Sequence, residues 1–223
     1  MPDGSLKLGF RAHYPQLETK LTVRAQTLEQ ARAKLQPVEA EVHQRMGNFI
    51  LAEDNETLEG NIQSLMVAER MTLAVVENFT GGQVAGRLAP LPNADLFFLR
   101  GTVARGETNL AHALGLQGRG EHWGELERLA GDLAESARRQ AGATLGLALL
   151  CSLDDQQPPS ANQTGMIGLA IASADNVVTR GTKLAGHRDW IRLGAVEMGL
   201  DCLRRFLKGL PLHERTDFER KPE

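Results

Sequence analysis

The 223-residue chain has 25 Lys and Arg against 28 Asp and Glu, a net charge of −3, so it carries no electrostatic footprint for nucleic acid or for an anionic membrane surface. At 42% hydrophobic residues it can bury a sizeable core, and no apolar stretch approaches the roughly 20 residues that span a bilayer. Cys151 and Cys202 match no disulfide framework or metal-ligand spacing, and no basic-then-apolar leader opens the chain; a soluble, cytoplasmic protein of two domains with buried thiols is expected.

In chain order, LKLGFRAHYPQLETKLTVRA (6–25) alternates apolar and polar residues on both sides of Pro15, the period of two half-buried strands. Thr27 stands at an N-cap position with Gln30 at the capping-box position, and Leu28, Ala31, Leu35, Val38 and Val42 keep a helical stripe to about His43. NFILAED (48–54) reads as a short strand, and a helix through Leu58, Ile62, Leu65 and Met66 starts at Thr57, with Asn55 or Glu56 as other possible caps. Residues 1–65 are therefore expected to form a small α+β module of β-β-α-β order.

From Met71 strands and helices alternate. TLAVVEN is a buried strand, and TGGQVAGRLAPLP is a helix that must end by Pro90 or Pro92. ADLFFLRGTVA follows as a strand pair or one bent strand, then a helix over Glu107–Leu114, a long helix from His122 to about Gln140, and the strand TLGLALLCSL. After a polar loop, MIGLAIAS and NVVTRGTKLA form a hairpin turning at Asp175-Asn176, before a last helix over Asp189–Leu207. This order predicts a three-layer α/β/α domain with a mixed sheet over 66–210 and a flexible tail at 211–223.

VVENFTGGQVAG (75–86) is the stretch closest to chemistry. An apolar strand delivers a polar residue to a glycine pair that opens a helix, which is how a nucleophile is commonly presented. The residue delivered is Asn78, whose amide nitrogen has no lone pair available for attack. Thr80 carries the only hydroxyl in the turn and reads more readily as a cap or phosphate contact than as a nucleophile. Gly81 and Gly82 permit close backbone approach to a ligand, or equally a tight helix packing. Arg188 and Arg192, one helical turn apart, can hold a phosphate or carboxylate together, or pair with Asp189 or Glu197 at the surface. The six histidines show no metal-site spacing.

ENFTGGQVAGRL, then FFLRGTVARGETNLAHALGL, then GHRDWIR opening the last helix, resemble the C-terminal domain of CinA, the nicotinamide mononucleotide amidohydrolase family. The resemblance runs from about Leu65 to Leu207. It implies that residues 1–65 are the KH-like module preceding this domain in full-length CinA chains, and that a molybdopterin-binding-like first domain lies outside these residues. Gly4, Gly9, Gly47 and Gly60 make no GXXG loop, so the module is expected to serve packing or dimerisation rather than RNA binding.

The family turn reads E-S-C-T-G-G, with the serine as proposed nucleophile, and a V-T-Y-S-N-E-A-K segment supplies a Tyr and a Lys for proton transfer. Here Glu77, Thr80, Gly81 and Gly82 match the turn, while Asn78 replaces the Ser and Phe79 the Cys. Gly101 and Val103 match the second segment, but Ala104, Arg105 and Gly106 stand for Thr, Tyr and Ser, Glu107 stands for Asn, and Leu110 stands for the Lys. LDDQQPPSANQTG lacks the family's glycine-rich loop, whereas Gly186, Arg188 and Arg192 match its G-x-R-x-x-x-R.

Loss of the nucleophile together with both proton-transfer partners removes the whole catalytic unit. The resemblance thus implies an inactive amidohydrolase-like domain acting as a ligand-binding or interaction module. The alternatives are an active deamidase with a rearranged site and a structural oligomerisation partner. The expected ligand-binding residues are Glu77, Asn78, Thr80, Gly81, Gly82, Arg105, Arg188 and Arg192. The expected partners are a pyridine nucleotide or other anionic small molecule and further copies of the chain, with no metal, cofactor, nucleic acid or membrane.

Overall fold

The alternation in the first segment produces an antiparallel hairpin in the computed structural model, which describes residues 6–116 and 126–214. Strands β1 (Leu6–His13) and β2 (Gln16–Val23) pair from Leu6↔Val23 to His13↔Gln16 around a Tyr14-Pro15 turn with a cis peptide bond. Leu6, Leu8, Phe10 and Ala12 lie opposite Val23, Leu21, Thr19 and Leu17, so one face of the hairpin is almost wholly apolar. Helix α1 (Leu28–Met46) begins as its capping signal requires, with the Thr27 hydroxyl accepting from Gln30 N–H at 3.2 Å.

Two expectations for this region change. The strand over 48–54 is absent: Gly47–Phe49 forms a 3₁₀ turn, and the apolar run ends in a left-handed Asp54 with no strand beside it. The chain also divides at Asn55/Glu56 rather than near residue 65. Helix α2 (Leu58–Ala68), capped by Thr57, belongs to the second unit because its buried stripe of Leu58, Ile62 and Met66 is used there, with α2 packed against the last helix.

The second unit contains β3 (Leu73–Glu77), α3 (Gln83–Leu88), β4 (Phe98–Val103), α4 (Glu107–Ala113), α5 (Leu126–Ala141), β5 (Leu145–Ser152), β6 (Gln163–Ala172), β7 (Val177–Gly186) and α6 (Arg188–Leu207). The sheet order is β4-β3-β5-β6-β7, with β3 parallel to β4 and β5 and the remaining pairs antiparallel. ADLFFLRGTVA is one strand entered from a 3₁₀ turn, and Ser173 N–H bonded to Asn176 C=O places the β6–β7 turn at Ala174-Asp175. The expected start of the long helix at His122 lies outside the described residues.

Alternation along the strands divides the core in two. Ala74, Val76, Ala148, Leu150, Ala170 and Ala172 meet α4 and α5 on one face; Leu73, Val75, Leu147, Leu149, Leu169 and Ile171 turn to the other, where α6 packs with α2 and α3. Helix α5 lies close to the sheet because Gly146 has no side chain; a Cβ there would sit 2.0 Å from the Ala134 carbonyl oxygen.

At the end of α6, Arg204 and Arg205 are buried and both bind Asp201. Arg205 also reaches Pro211 C=O and Glu214, while Arg180 donates to Leu212 C=O at 2.8 Å, so the first residues of the expected tail are tied to α6 and β7. Residues 215–223 of that tail lie outside the described residues.

Candidate functional site

The parallel strands β4, β3 and β5 end on the same side of the sheet, and their crossover helices leave to opposite faces: α3 toward α6, α5 to the other layer. Open α/β sheets bind ligands at such a place. A pocket of ≈ 260 Å³ opens here, lined by Asn78 and Phe79 after β3, Arg105 to Thr108 after β4, and Cys151, Ser152, Leu153 and Asp155 at the end of β5.

Asn78 is buried, and both ends of its amide are spent on one backbone residue. Its Nδ2 donates to Cys151 C=O at 3.0 Å and its Oδ1 accepts from Cys151 N–H at 2.8 Å and from Phe79 N–H. The last ladder pair between these strands is Glu77↔Leu149, so the side chain extends the β3–β5 junction beyond the ladder. A serine in its place has one rotatable donor and a shorter reach, and cannot reproduce this pair.

Glu77, fully buried, fixes the turn from within. Its carboxylate accepts from the Thr80 hydroxyl at 2.6 Å, from Val84 N–H at 3.0 Å and from Ala85 N–H at 2.8 Å, so free donors in the first turn of α3 already have an anion. The Thr80 hydroxyl is buried and committed to that carboxylate. Gly81 and Gly82 take φ of +68° and +89°, which explains the pair by backbone conformation. Arg87 then anchors α3, bonding Glu59 of α2 and Glu197 of α6.

On the pocket side, two guanidiniums share one ring and one carboxylate. Arg105 and Arg188 lie 5.6 and 5.0 Å from the Phe79 ring centroid, and both bind Asp155, at 2.6 and 2.5 Å. Arg188 and then Arg105 hold the Asp155 carboxyl below the usual carboxylate range. Arg192 does not join them and is bonded to Asp189 at 2.9 Å. Leu110 is buried among the α4–α5 core residues and does not line the pocket.

Three further polar groups line the pocket: Glu107, at the position where the family resemblance implies an Asn, and Thr108 and Ser152, which no local sequence signal marked. Burial raises the Glu107 carboxyl. The Cys151 thiol is pushed up to about 12 by burial, only partly opposed by Arg188 and Arg105, so it supplies no thiolate at neutral pH. Asp155 was legible only as one of two acids in a polar loop, because its role depends on a long-range contact. The position of Phe79 beside Asn78 was the one local signal of an aromatic wall.

The geometry defines a class: a doubly wound α/β/α domain with a polar pocket at the carboxyl ends of its parallel strands. Comparison with known proteins gives the family. The family model described as CinA C-terminal domain matches residues 55–207, and the chain belongs to the CinA family. A CinA-like protein of Frankia casuarinae is 35% identical over 96% of this chain and 49% of its own length, and one of Syntrophus aciditrophicus is 31% identical over 91% and 49%. The chain thus spans about half the length of these curated relatives. In solved structures, CinA superfamily proteins of Klebsiella pneumoniae and Enterobacter cloacae share the fold, each with a TM-score of 0.58, at 18% and 20% identity. They cover 68% and 70% of this chain and 96% of their own.

Proposed function

We propose that the second unit binds an anionic small molecule, of which a pyridine nucleotide is the first candidate, without hydrolysing it. The observation that carries this reading is the Asn78 amide: at the position where the family resemblance implies a nucleophile, both polar ends of the side chain are consumed in joining β3 to β5. Thr80 does not replace it, since its hydroxyl is buried against Glu77. Leu110, at the position of the implied Lys, belongs to the apolar core and can take no proton.

Binding has a chemical basis in the Arg105–Asp155–Arg188 cluster. Asp155 occupies, from within the chain, the place of a ligand's phosphate or carboxylate, and a multidentate anion can displace it while Phe79 keeps both guanidiniums in position. Titration calorimetry with nicotinamide mononucleotide and with inorganic phosphate tests this. Replacing both arginines (Arg105→Ala with Arg188→Ala) is expected to weaken nucleotide binding by about tenfold or more, and Asp155→Asn to strengthen it. Unchanged affinity in the double variant removes the arginines from the site.

One observation favours a second reading, an amidohydrolase with a rearranged site: Thr108 and Ser152 bring hydroxyls to a pocket that also holds the carboxyl of Glu107, a side chain of the general-base type. Turnover that depends on Glu107 would be its signature.

A further inference from the structure

We propose that the pocket is bipolar and takes a ligand with an anion at one end and a hydrogen-bond donor or positive charge at the other, with Glu107 as the residue that selects the second end. The inference rests on the anion binding proposed for Arg105 and Arg188 and adds what the rest of the ligand must be. Strand alternation assigns the two ends. Cys151 continues the series of Leu147 and Leu149 toward α6, the helix that Arg188 opens. Ser152 continues the series of Ala148 and Leu150 toward the α4–α5 layer, where Glu107 is the first residue of α4. Glu107 and Ser152 thus line one side of the pocket, and the guanidiniums gathered on Phe79 and Asp155 mark the other.

The two acids of the pocket are treated unequally. Asp155 is bonded to both arginines, whereas the half-buried Glu107 carboxylate has no hydrogen-bond or ion-pair partner among the described residues, and burial raises it. An unpaired carboxylate shielded from water costs folding free energy, and in a pocket that served an anion alone it would also repel the ligand. Ser152 is only 9% exposed, and its hydroxyl likewise has no partner among the described residues; buried hydroxyls ordinarily have one. Together the two groups offer what a primary amide needs. The carboxylate accepts from the amide N–H, and the hydroxyl donates to the amide C=O. A carboxylic acid in the same place would keep only the hydroxyl bond and would set its charge against Glu107, and such an opposed charge is how a site rejects a near-isostere. The ligand class is therefore a phosphorylated molecule that ends in an amide or a cation, not in an acid.

Titration calorimetry on the full chain tests the assignment with nicotinamide mononucleotide and nicotinic acid mononucleotide, which share phosphate, ribose and cationic ring and differ only in carboxamide against carboxylate. The unmodified chain is expected to prefer the amide by about tenfold or more. Glu107→Gln is expected to bring the two affinities within about threefold of each other, chiefly by strengthening the acid, because a glutamine N–H can donate to a carboxylate. Glu107→Lys is expected to reverse the preference, a result that a damaged fold cannot give, since it would weaken both nucleotides together. Equal affinities in the unmodified chain, or a preference for the amide that persists in Glu107→Gln, overturn the selection by Glu107 and leave anion binding standing. Failure of both nucleotides and of inorganic phosphate to bind the unmodified chain overturns the anion-binding reading itself, and this inference with it.

Discussion

Asn78 concentrates structure and function in one side chain. Its removal leaves the Cys151 N–H and C=O unpaired in a buried site, and each orphaned group costs about 1–3 kcal/mol. Asn78→Ala is therefore expected to destabilise the second unit by about 2–6 kcal/mol, read as a lower denaturant midpoint at constant slope. Asn78→Asp keeps the acceptor but turns a carboxylate toward a carbonyl, which raises its folded-state pKa. Stability from the protonated form is then complete below the unfolded value of about 3.9 and lost as pH rises through the raised one, so the deficit should be larger at pH 7 than at pH 4. Glu107 follows the same sign: burial raises its carboxyl, so Glu107→Gln is expected to raise the unfolding midpoint at pH 7–8 and to make little difference near pH 4.

At the scale of elements, the turn between β3 and α3 is organised by Glu77. Thr80, Val84 and Ala85 all donate to it, so Glu77→Gln, which removes the charge and offers one acceptor oxygen instead of two, is expected to cost about 1–3 kcal/mol and to loosen α3 first, seen as faster amide exchange there. Gly146→Ala is expected to be more severe, since the new methyl would enter the Ala134 carbonyl on α5 rather than a movable side chain; loss of cooperative unfolding checks this. Much at this scale was legible in sequence. Thr27 and Thr57 cap the helices they precede, and the unbroken apolar runs of β3 and β5 are the buried parallel strands. The strand expected over 48–54 was not, because the four apolar residues Phe49 to Ala52 do not make a strand without a neighbour to pair with. In the site, local pattern placed Asn78 at the strand end, but the partners that decide its chemistry, Cys151 at the end of β5 and Asp155 in the following loop, are distant in sequence and carry no motif.

For the whole molecule, the two units differ in how they are stabilised. Among the described residues, the second carries all the buried apolar side chains, from Leu58 onward, whereas the first has none. Membership of the CinA family and the fold shared with CinA superfamily structures set the frame in which the pocket is read. Ammonia release from nicotinamide mononucleotide by the unmodified chain distinguishes binding from turnover. No release above the uncatalysed rate is expected, since Asn78 is bonded to Cys151 and Leu110 is buried in the core. Sustained release that disappears in Glu107→Gln would contradict the account and establish hydrolysis at the rearranged site.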